Sequence, residues 1–428
     1  MIKIIRHQLW NQRRQNGWIF VELVIVSFFL WTVIDPIYVL TSNLALDPGY
    51  DEERAYALYM DYYDELHGKF DKAQDSVAIR QENLYRITRL VKNCPEVESF
   101  ALVTNASFPN CNSWNGGQYF NDTLKVHSQY YQFVQAEGGD VFRTFGMKDA
   151  KSGQIMSLPE DCAAREGVFV SERMAKELFG TADAVGKRVR YGDSTFHEVM
   201  GVSQDYKHRI NEQPGNVLIQ VNGKIPNHNW IQRMYMVTFR LKQNVDVAVF
   251  EKRFKAEVVP QLNVGNFYFT KLGRFADIRR QYENESGVTN TLRLQYSLAG
   301  FALLCVFLGM VGTFWIRCNA RRQDIGLMRS MGATRKGICN QFLTEAWLLV
   351  TVAFVVSLPL TIHRVYASGF ANPTMDGNPD YWQNQPYTHF FIVSLLTYVV
   401  LLIIALLGTY APVTRAAKIL PAEALRDE

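Results

Sequence analysis

Tyr296 to Ile316 reads YSLAGFALLCVFLGMVGTFWI, 21 residues without a charge. A helix crossing a hydrocarbon core of about 30 Å needs about 20 apolar residues, so this stretch alone is long enough to span a membrane. Three further runs share the property. Trp18 to Ile34 (WIFVELVIVSFFLWTVI) has 17 residues and one charge, Glu22; Ala346 to Ile362 (AWLLVTVAFVVSLPLTI) has 17 and none; Phe390 to Pro412 (FFIVSLLTYVVLLIIALLGTYAP) has 23 and none. One such run could be a buried helix of a large soluble core, but four in one chain argue for four spans. The first run exceeds the usual length of a signal-peptide core, and Asp35-Pro36 follows it with no small-residue cleavage site, so it reads as a retained span.

Whole-chain averages hide this. Over 428 residues the chain is 48% hydrophobic and 20% charged with a net charge of +4, and its mean hydropathy is −0.10. Those values exclude a disordered chain, and six cysteines are too few for a small disulfide scaffold. The mild basicity is no nucleic-acid signature.

The cations are segregated as well. Lys3, Arg6, Arg13 and Arg14 precede the first span, and Arg317, Arg321, Arg322, Arg329, Arg335 and Lys336 lie between spans two and three. Arg415, Lys418 and Arg426 follow span four, whereas the stretch from His363 to His389 has only Arg364 against Asp376 and Asp380. The positive-inside rule therefore places both termini and the 317–345 loop in the cytoplasm. Well over half the chain is left outside.

That outer segment reads as mixed α and β. Gln81 to Asn93 puts Leu84, Ile87 and Leu90 or Val91 on one helical face before Pro95. Val97–Thr104, Val217–Val221, Tyr235–Leu241 and Phe267–Leu272 are strand-like. Ser171 reads as the N-cap of a helix carrying Met174, Leu178 and Phe179 on one stripe, closed by Gly180. Residues 186–191 and 196–202 suggest a hairpin turning at Gly192-Asp193. Ile278 to Gln295 reads as a polar helix extending span two outward as a stalk, with Gly287 as its weak point.

Catalytic readings find little support. Gly180 to Arg188 has five residues between its glycines and Arg after Lys187, whereas a phosphate-binding loop needs four and then Ser or Thr. His67, His127, His197, His208 and His228 lack metal-ligand spacing, and no Gly-x-Ser-x-Gly elbow occurs. Cys94, Cys111 and Cys162 lie on the oxidising side; either Cys94 and Cys111 form a disulfide or these thiols are free. Glu22, about five residues into span one, either snorkels to the interface or pairs with an Arg or a partner helix. In residues 1–14, Ile2, Ile5 and Leu9 share a face, as expected of an amphipathic segment along the inner interface.

The most informative stretch lies between spans two and three, Arg321-Arg322-Gln323-Asp324-Ile325-Gly326-Leu327-Met328-Arg329-Ser330-Met331-Gly332-Ala333-Thr334-Arg335-Lys336. Ile325, Met328 and Met331 form one apolar stripe flanked by cations, and Gly332 stops the helix. Such a helix in the cytoplasm packs either on the membrane surface or on a soluble partner. The stretch resembles the coupling segment of FtsX-like and MacB-like ABC transporter permeases, with Asp324 in place of their usual Glu and Ser330-Met331 in place of Ala-Leu. Phe169 to Gly180, Val185 to Val189 and Glu198 to Lys207 resemble the MacB-like periplasmic core domain, and Pro412 to Arg426 resembles that family's closing motif. The order of one span, a large external domain and three more spans is also similar.

The resemblance implies an α-helical membrane protein with four transmembrane helices and a large mixed α/β (α+β) extracytoplasmic domain between helices 1 and 2. The implied organisation is a cytoplasmic amphipathic segment 1–16, helix 1 at 17–40, a periplasmic core domain with stalk at 41–290, helix 2 at 291–316 and a cytoplasmic coupling loop at 317–345. Helix 3 at 346–362, a short periplasmic loop at 363–388, helix 4 at 389–412 and a cytoplasmic tail at 413–428 complete it. The implied role is a non-catalytic permease subunit in the inner membrane, coupling ATP hydrolysis on a separate ATPase to motion of its periplasmic domain by mechanotransmission, for efflux or export. An FtsX-like regulator of periplasmic enzymes and a membrane sensor are the alternatives. Asp324, Ile325, Gly326, Leu327, Met328, Arg329, Met331, Gly332 and Ala333 would contact the ATPase, which would carry the ATP and magnesium. Expected partners are that ATPase dimer, a second copy or a related permease, membrane lipids and, for export, a periplasmic adaptor and outer-membrane channel. No cofactor is expected in this chain, and no nucleic acid.

Overall fold

The computed structural model describes residues 13–368 and 385–418, except 112, 114, 122, 136, 137, 160, 163, 165, 166 and 192–195. It divides into two compact units, Met1–Ser42 with Thr289–Glu428, and Asn43–Val288.

In the first unit, helices α1 (Arg13–Ala45), α8 (Val288–Ala320), α10 (Arg335–Ala367) and α11 (Pro386–Ala416) are long and apolar enough to cross a membrane. A short helix, α9 (Arg322–Ser330), joins α8 to α10. The bundle core interleaves Ile19, Leu23 and Leu30 with Val306, Met310, Phe314, Val350, Leu401 and Ala405. Toward the C-terminal part of α1, the indole of Trp31 donates to Ser394 Oγ at 3.1 Å and Asp35 pairs with His389 at 2.7 Å. Pro36, Pro359 and Pro412 all lie inside helices, which neighbouring spans allow by re-satisfying the freed backbone groups.

The second unit holds helices α2 (Val77–Lys92), α3 (Val141–Phe145), α4 (Glu172–Phe179), α5 (Ile231–Met234), α6 (Val247–Arg253) and α7 (Phe275–Glu285). Its strands are β1 (Ala55–Tyr62), β2 (Val97–Thr104), β3 (Gly116–Phe120), β4 (Lys125–Val134), β5 (Val168–Ser171), β6 (Arg188–Tyr191), β7 (Phe196–Ser203), β8 (Val217–Asn222), β9 (Tyr235–Leu241) and β10 (Phe267–Arg274). They form one sheet in the order β10-β1-β9-β2-β4-β3-β6-β7-β5-β8, and β8 returns to pair with β4. That last pairing closes β4, β3, β6, β7, β5 and β8 into a ring.

Strand periodicity sends alternate side chains to opposite faces of the open part of the sheet. Ala57, Ala101, Val103, Tyr131 and Phe133 face one core with α3 and α7. Tyr56, Leu58, Phe100, Leu102, Val237 and Phe239 face another, covered by Leu84, Ile87 and Val91 of α2 and by Phe250. Ser171 Oγ caps α4 by accepting from Met174 N–H at 3.4 Å, and Gly180 closes it, as the sequence suggests. Strands β6 and β7 pair antiparallel as expected; the proposed turn at Gly192-Asp193 lies outside the described residues.

Three expectations change. First, 278–295 is not a continuous stalk. Gly287 adopts φ +74°, a left-handed conformation that ends one helix, so α7 stops at Glu285 and α8 starts at Val288. Ile278 and Tyr282 of α7 are buried, Ile278 in the core of the inserted domain. Second, Cys94 and Cys111 are free thiols. They are buried in different cores on opposite faces of the sheet, and the intervening sheet keeps their Cα atoms from the close approach a disulfide needs. Third, much of the 317–345 loop is helical, because α8 continues to Ala320 and α10 begins at Arg335. An apolar run measures the part of a helix inside the bilayer; the helix end is set by caps, here Thr334, whose Oγ1 accepts from Gly337 N–H at 3.1 Å. The amphipathic segment at 1–16 lies outside the described residues up to residue 12, as do 369–384 of the second short loop and 419–428 of the tail.

Candidate functional site

The α8–α9–α10 elbow gathers most of the residues singled out in the sequence. Arg321, with φ −104° and ψ 18°, breaks the helix between α8 and α9. At the far end of α9, Met331 N–H bonds Leu327 O at 3.0 Å and Ala333 N–H bonds Met328 O at 2.9 Å around Gly332, whose φ is +96°. Only glycine enters that region without strain, so Gly332 sets the turn into α10. Asp324 in the first turn and Arg329 in the last complement the helix dipole.

The apolar stripe divides in two. Ile325 is 1% exposed and packs in the bundle core with Ile338 and Phe342, with Met328 partly buried beside it. Leu327 and Met331 face outward, 52% and 72% exposed, beside exposed Asp324, Gly332 and Ala333. Helical geometry explains the division. Steps of three residues at about 100° each rotate by about 60° per step. A stripe at 325, 328 and 331 therefore drifts off the inner face, while 327 and 331, four apart, stand side by side. Gly326 is buried and Arg329 is half-buried, donating from Nη1 to Ala417 O at 3.1 Å at the end of α11. Of the nine residues expected to contact a partner, the structure turns Asp324, Leu327, Met331, Gly332 and Ala333 outward.

The elbow is fastened by a charge cluster that the sequence reading passed over. Glu345 on α10 is fully buried at 0% exposure. Its Oε1 accepts from Arg321 Nη1 at 2.9 Å, and its Oε2 lies 3.7 Å from Arg317 Nη1. Arg317 and Arg321 are four residues apart at the end of α8, with side chains 6% and 11% exposed. Their guanidinium planes stack over Phe314 at 5.1 Å and Phe342 at 5.7 Å. Buried charges persist when paired and hydrogen-bonded; this cluster ties the hinge residue Arg321 to α10 and so fixes the direction in which α9 leaves α8. A signal was present: Glu345 is the sole carboxylate between Asp324 and Asp376, immediately before an uncharged run.

Glu22 lies on α1, partly exposed, with its carboxylate against Gly309 of α8. A Cβ at 309 would come within 2.5 Å of Glu22 Oε1. Among the described residues no hydrogen bond or ion pair holds this carboxylate, and neighbouring Trp18, Val21 and Ile25 are exposed.

A bundle of four helices long and apolar enough to cross a membrane, with a mixed α/β domain between the first and second, is the architecture of a multi-pass membrane protein. The chain belongs to the MacB-like and FtsX-like permeases: the model of the MacB-like periplasmic core domain matches residues 51–257, and that of the FtsX-like permease C-terminal domain matches residues 296–421, elbow included. The chain is similar to the macrolide export ATP-binding/permease protein MacB of Aggregatibacter actinomycetemcomitans, 26% identical over 228 residues, which is 52% of this chain and 34% of that protein. It is 25% identical over 296 residues to the protein of the same description from Chromobacterium violaceum, covering 68% of this chain and 42% of that one. The chain thus spans less than half the length of these relatives. Among solved structures, the periplasmic region of MacB from Actinobacillus actinomycetemcomitans aligns with a TM-score of 0.35 at 14% identity, covering 57% of this chain and 98% of that one. The extracellular domain of the noncanonic ABC-type transporter YknZ from Gram-positive bacteria aligns at 0.31 with 12% identity, covering 51% and 100%.

Proposed function

We propose that the chain is the non-catalytic membrane subunit of an ABC transporter and that α9 receives the motion of an ATPase on a partner polypeptide. In this reading ATP and magnesium act on the partner, and ATP-driven closure is passed through α8 and α10 to the periplasmic core domain by mechanotransmission. The observation that carries it is the two-sided α9. Ile325, Met328 and the Arg321–Glu345 pair hold it inward, while Leu327 and Met331 present an apolar pair to the outside. A short helix anchored on one side with exposed apolar residues on the other suits a docking element. Coupling between two sites also needs an element both can bias, and the charge-fastened elbow supplies one.

The excess of Lys and Arg on the flanks beside α9 supports a cytoplasmic position for the elbow and both termini, in the inner membrane. A two-fold assembly with a second copy or a related permease follows from ATPases closing as dimers, and lipids cover the outward apolar residues. Export across the envelope, with a periplasmic adaptor and outer-membrane channel, is the direction this reading favours. The test is purification of the tagged chain in mild detergent. Wild type should co-elute with an ATPase, and Leu327→Asp/Met331→Asp should lose it while inserting and melting normally. Retention of the ATPase by the double variant would refute the docking assignment, and its absence from wild type would refute the permease reading.

A further inference from the structure

The inserted domain contains a second site, unrelated to the elbow. The ring formed by β4, β3, β6, β7, β5 and β8 turns alternate residues inward, and register identifies them. Tyr119 lies opposite Val126 and Tyr191, Val189 opposite His197, Val168 opposite Gln220, and Tyr130 beside Leu218. Helix α4 packs Met174, Ala175 and Leu178 against the inward-facing valines. What remains is a cavity of about 300 Å³ to which all six strands contribute. A ring this small is normally filled by its own side chains, so a cleft of this size left at its edge is a candidate ligand site.

Its chemistry is narrow. Val168, Val189 and Leu218 form an apolar floor, and Tyr119, Tyr130, Tyr191, His197 and Gln220 supply phenols, an imidazole and an amide. The Tyr130 hydroxyl bonds Gln220 Oε1, and the Tyr119 and Tyr191 rings meet at 5.4 Å. Burial pushes the Tyr130 phenol up to about 12 and raises that of Tyr119 as well, so both are neutral donors in water near pH 7. Among the described residues no carboxylate lines the cavity. Arg190 also contributes to the lining, with its guanidinium over Phe120 at 5.0 Å and Phe196 at 5.8 Å on the outer face of β6. Gly117 provides a further observation, because a Cβ there would stand 2.3 Å from Tyr191 Cε2. Glycine is what lets the Tyr191 ring lie across β3 and wall the cavity.

We propose that this cavity binds a neutral pyranose ring, a saccharide unit. Aromatic faces above an apolar floor match the C–H face of such a ring, and phenol, amide and imidazole groups, which can each donate or accept, match its equatorial hydroxyls. A cationic ligand would meet no carboxylate among the described residues, and an anionic one would find the Arg190 guanidinium engaged over Phe120 and Phe196 on the outer face of β6.

The experiment is saturation-transfer NMR on the full chain in mild detergent, with glucose and N-acetylglucosamine as probes, and phenol, glucuronate and benzamidinium as comparators. A neutral sugar should show transfer at millimolar concentration, and the comparators should not. Tyr191→Ala and Gly117→Ala should each weaken the sugar roughly threefold to tenfold, the range expected for losing or displacing one aromatic contact, with the melting profile of wild type. Because Tyr191 is half-exposed, its truncation tests binding with little cost to folding; Gln220→Leu provides a third variant if Gly117→Ala melts early. The assignment is overturned if neither sugar shows transfer, if phenol or a charged comparator binds as well as the sugars, or if the sugar signal survives unchanged in Tyr191→Ala and Gln220→Leu.

Discussion

Replacing Glu345 with Gln removes the carboxylate that faces both Arg317 and Arg321, two buried guanidinium groups at the end of α8. At separations of 2.9 and 3.7 Å, a unit-charge attraction with an effective dielectric of about 20 is roughly 4–6 kcal/mol for each pair. Removing one partner of a buried pair costs about 3–5 kcal/mol, much of it the penalty of the stranded charge. For a unit the size of this bundle, each kcal/mol moves the melting midpoint by roughly 2–4 °C, so Glu345→Gln should melt roughly 6–20 °C below wild type. Cys318, next to Arg317 and buried in the bundle, offers a local probe. Labelling of Cys318 by a thiol reagent during a thermal ramp, read by mass spectrometry, reports opening of this site rather than of the inserted domain. The combined change Glu345→Met, Arg321→Met, Arg317→Met should recover most of the loss, because replacing the whole cluster with packed apolar groups removes the stranded charges. A Glu345→Gln midpoint within error of wild type would refute the assignment of Glu345 as the fastener of the elbow, and a triple variant no better than the single one would refute the electrostatic reason for it.

Other consequences follow from particular contacts. Met328→Asp buries a charge on the inner face of α9 and should lower the bundle midpoint, whereas Met331→Asp should leave it unchanged; equal midpoints would contradict the two-sided reading of the helix. His208 is buried, with Nδ1 2.5 Å from Tyr131 Oη and Nε2 3.2 Å from Ser113 O. Burial, reinforced by Arg209, lowers its imidazole to about 4 from an ordinary 6.5. Below pH 6.5 the unfolded chain therefore takes up a proton the native state refuses, and the inserted domain should lose up to about 3 kcal/mol as pH falls from 6.5 to 4. Denaturant midpoints of wild type and His208→Gln across that range check this: the variant should lack that part of the acid slope, and parallel slopes would contradict it. Gly332→Val forces a β-branched residue to φ +96° and should cost about 1–3 kcal/mol, read as early melting with loss of ATPase co-purification. Gly309→Val should displace Glu22 and impair insertion or assembly, checked by protease protection and native gel mobility.

The four spans, their order around a large inserted domain and the elbow helix with its stop at Gly332 were legible in the sequence, because apolar segregation and local caps act over a few residues. So were strands such as Val97–Thr104 and Tyr235–Leu241, which are rich in β-branched and aromatic residues. Local pattern could not tell which side of α9 faces the bundle, since the stripe at 325, 328 and 331 drifts around the helix, and that decision belongs to Ile338 and Phe342. Nor could it show that Gly287 ends α7 rather than bending a stalk, or that a sheet separates Cys94 from Cys111. Glu345 is a lone acid in the sequence and gains a role only when α10 lies against the end of α8. The cavity of the inserted domain depends on β8 closing against β4, a pairing of residues about ninety apart in the chain. Short-range periodicity and capping thus set which helices and strands form, while long-range pairing, which no local pattern encodes, decided which side chains became the fastener, the outward face of α9 and the cavity wall.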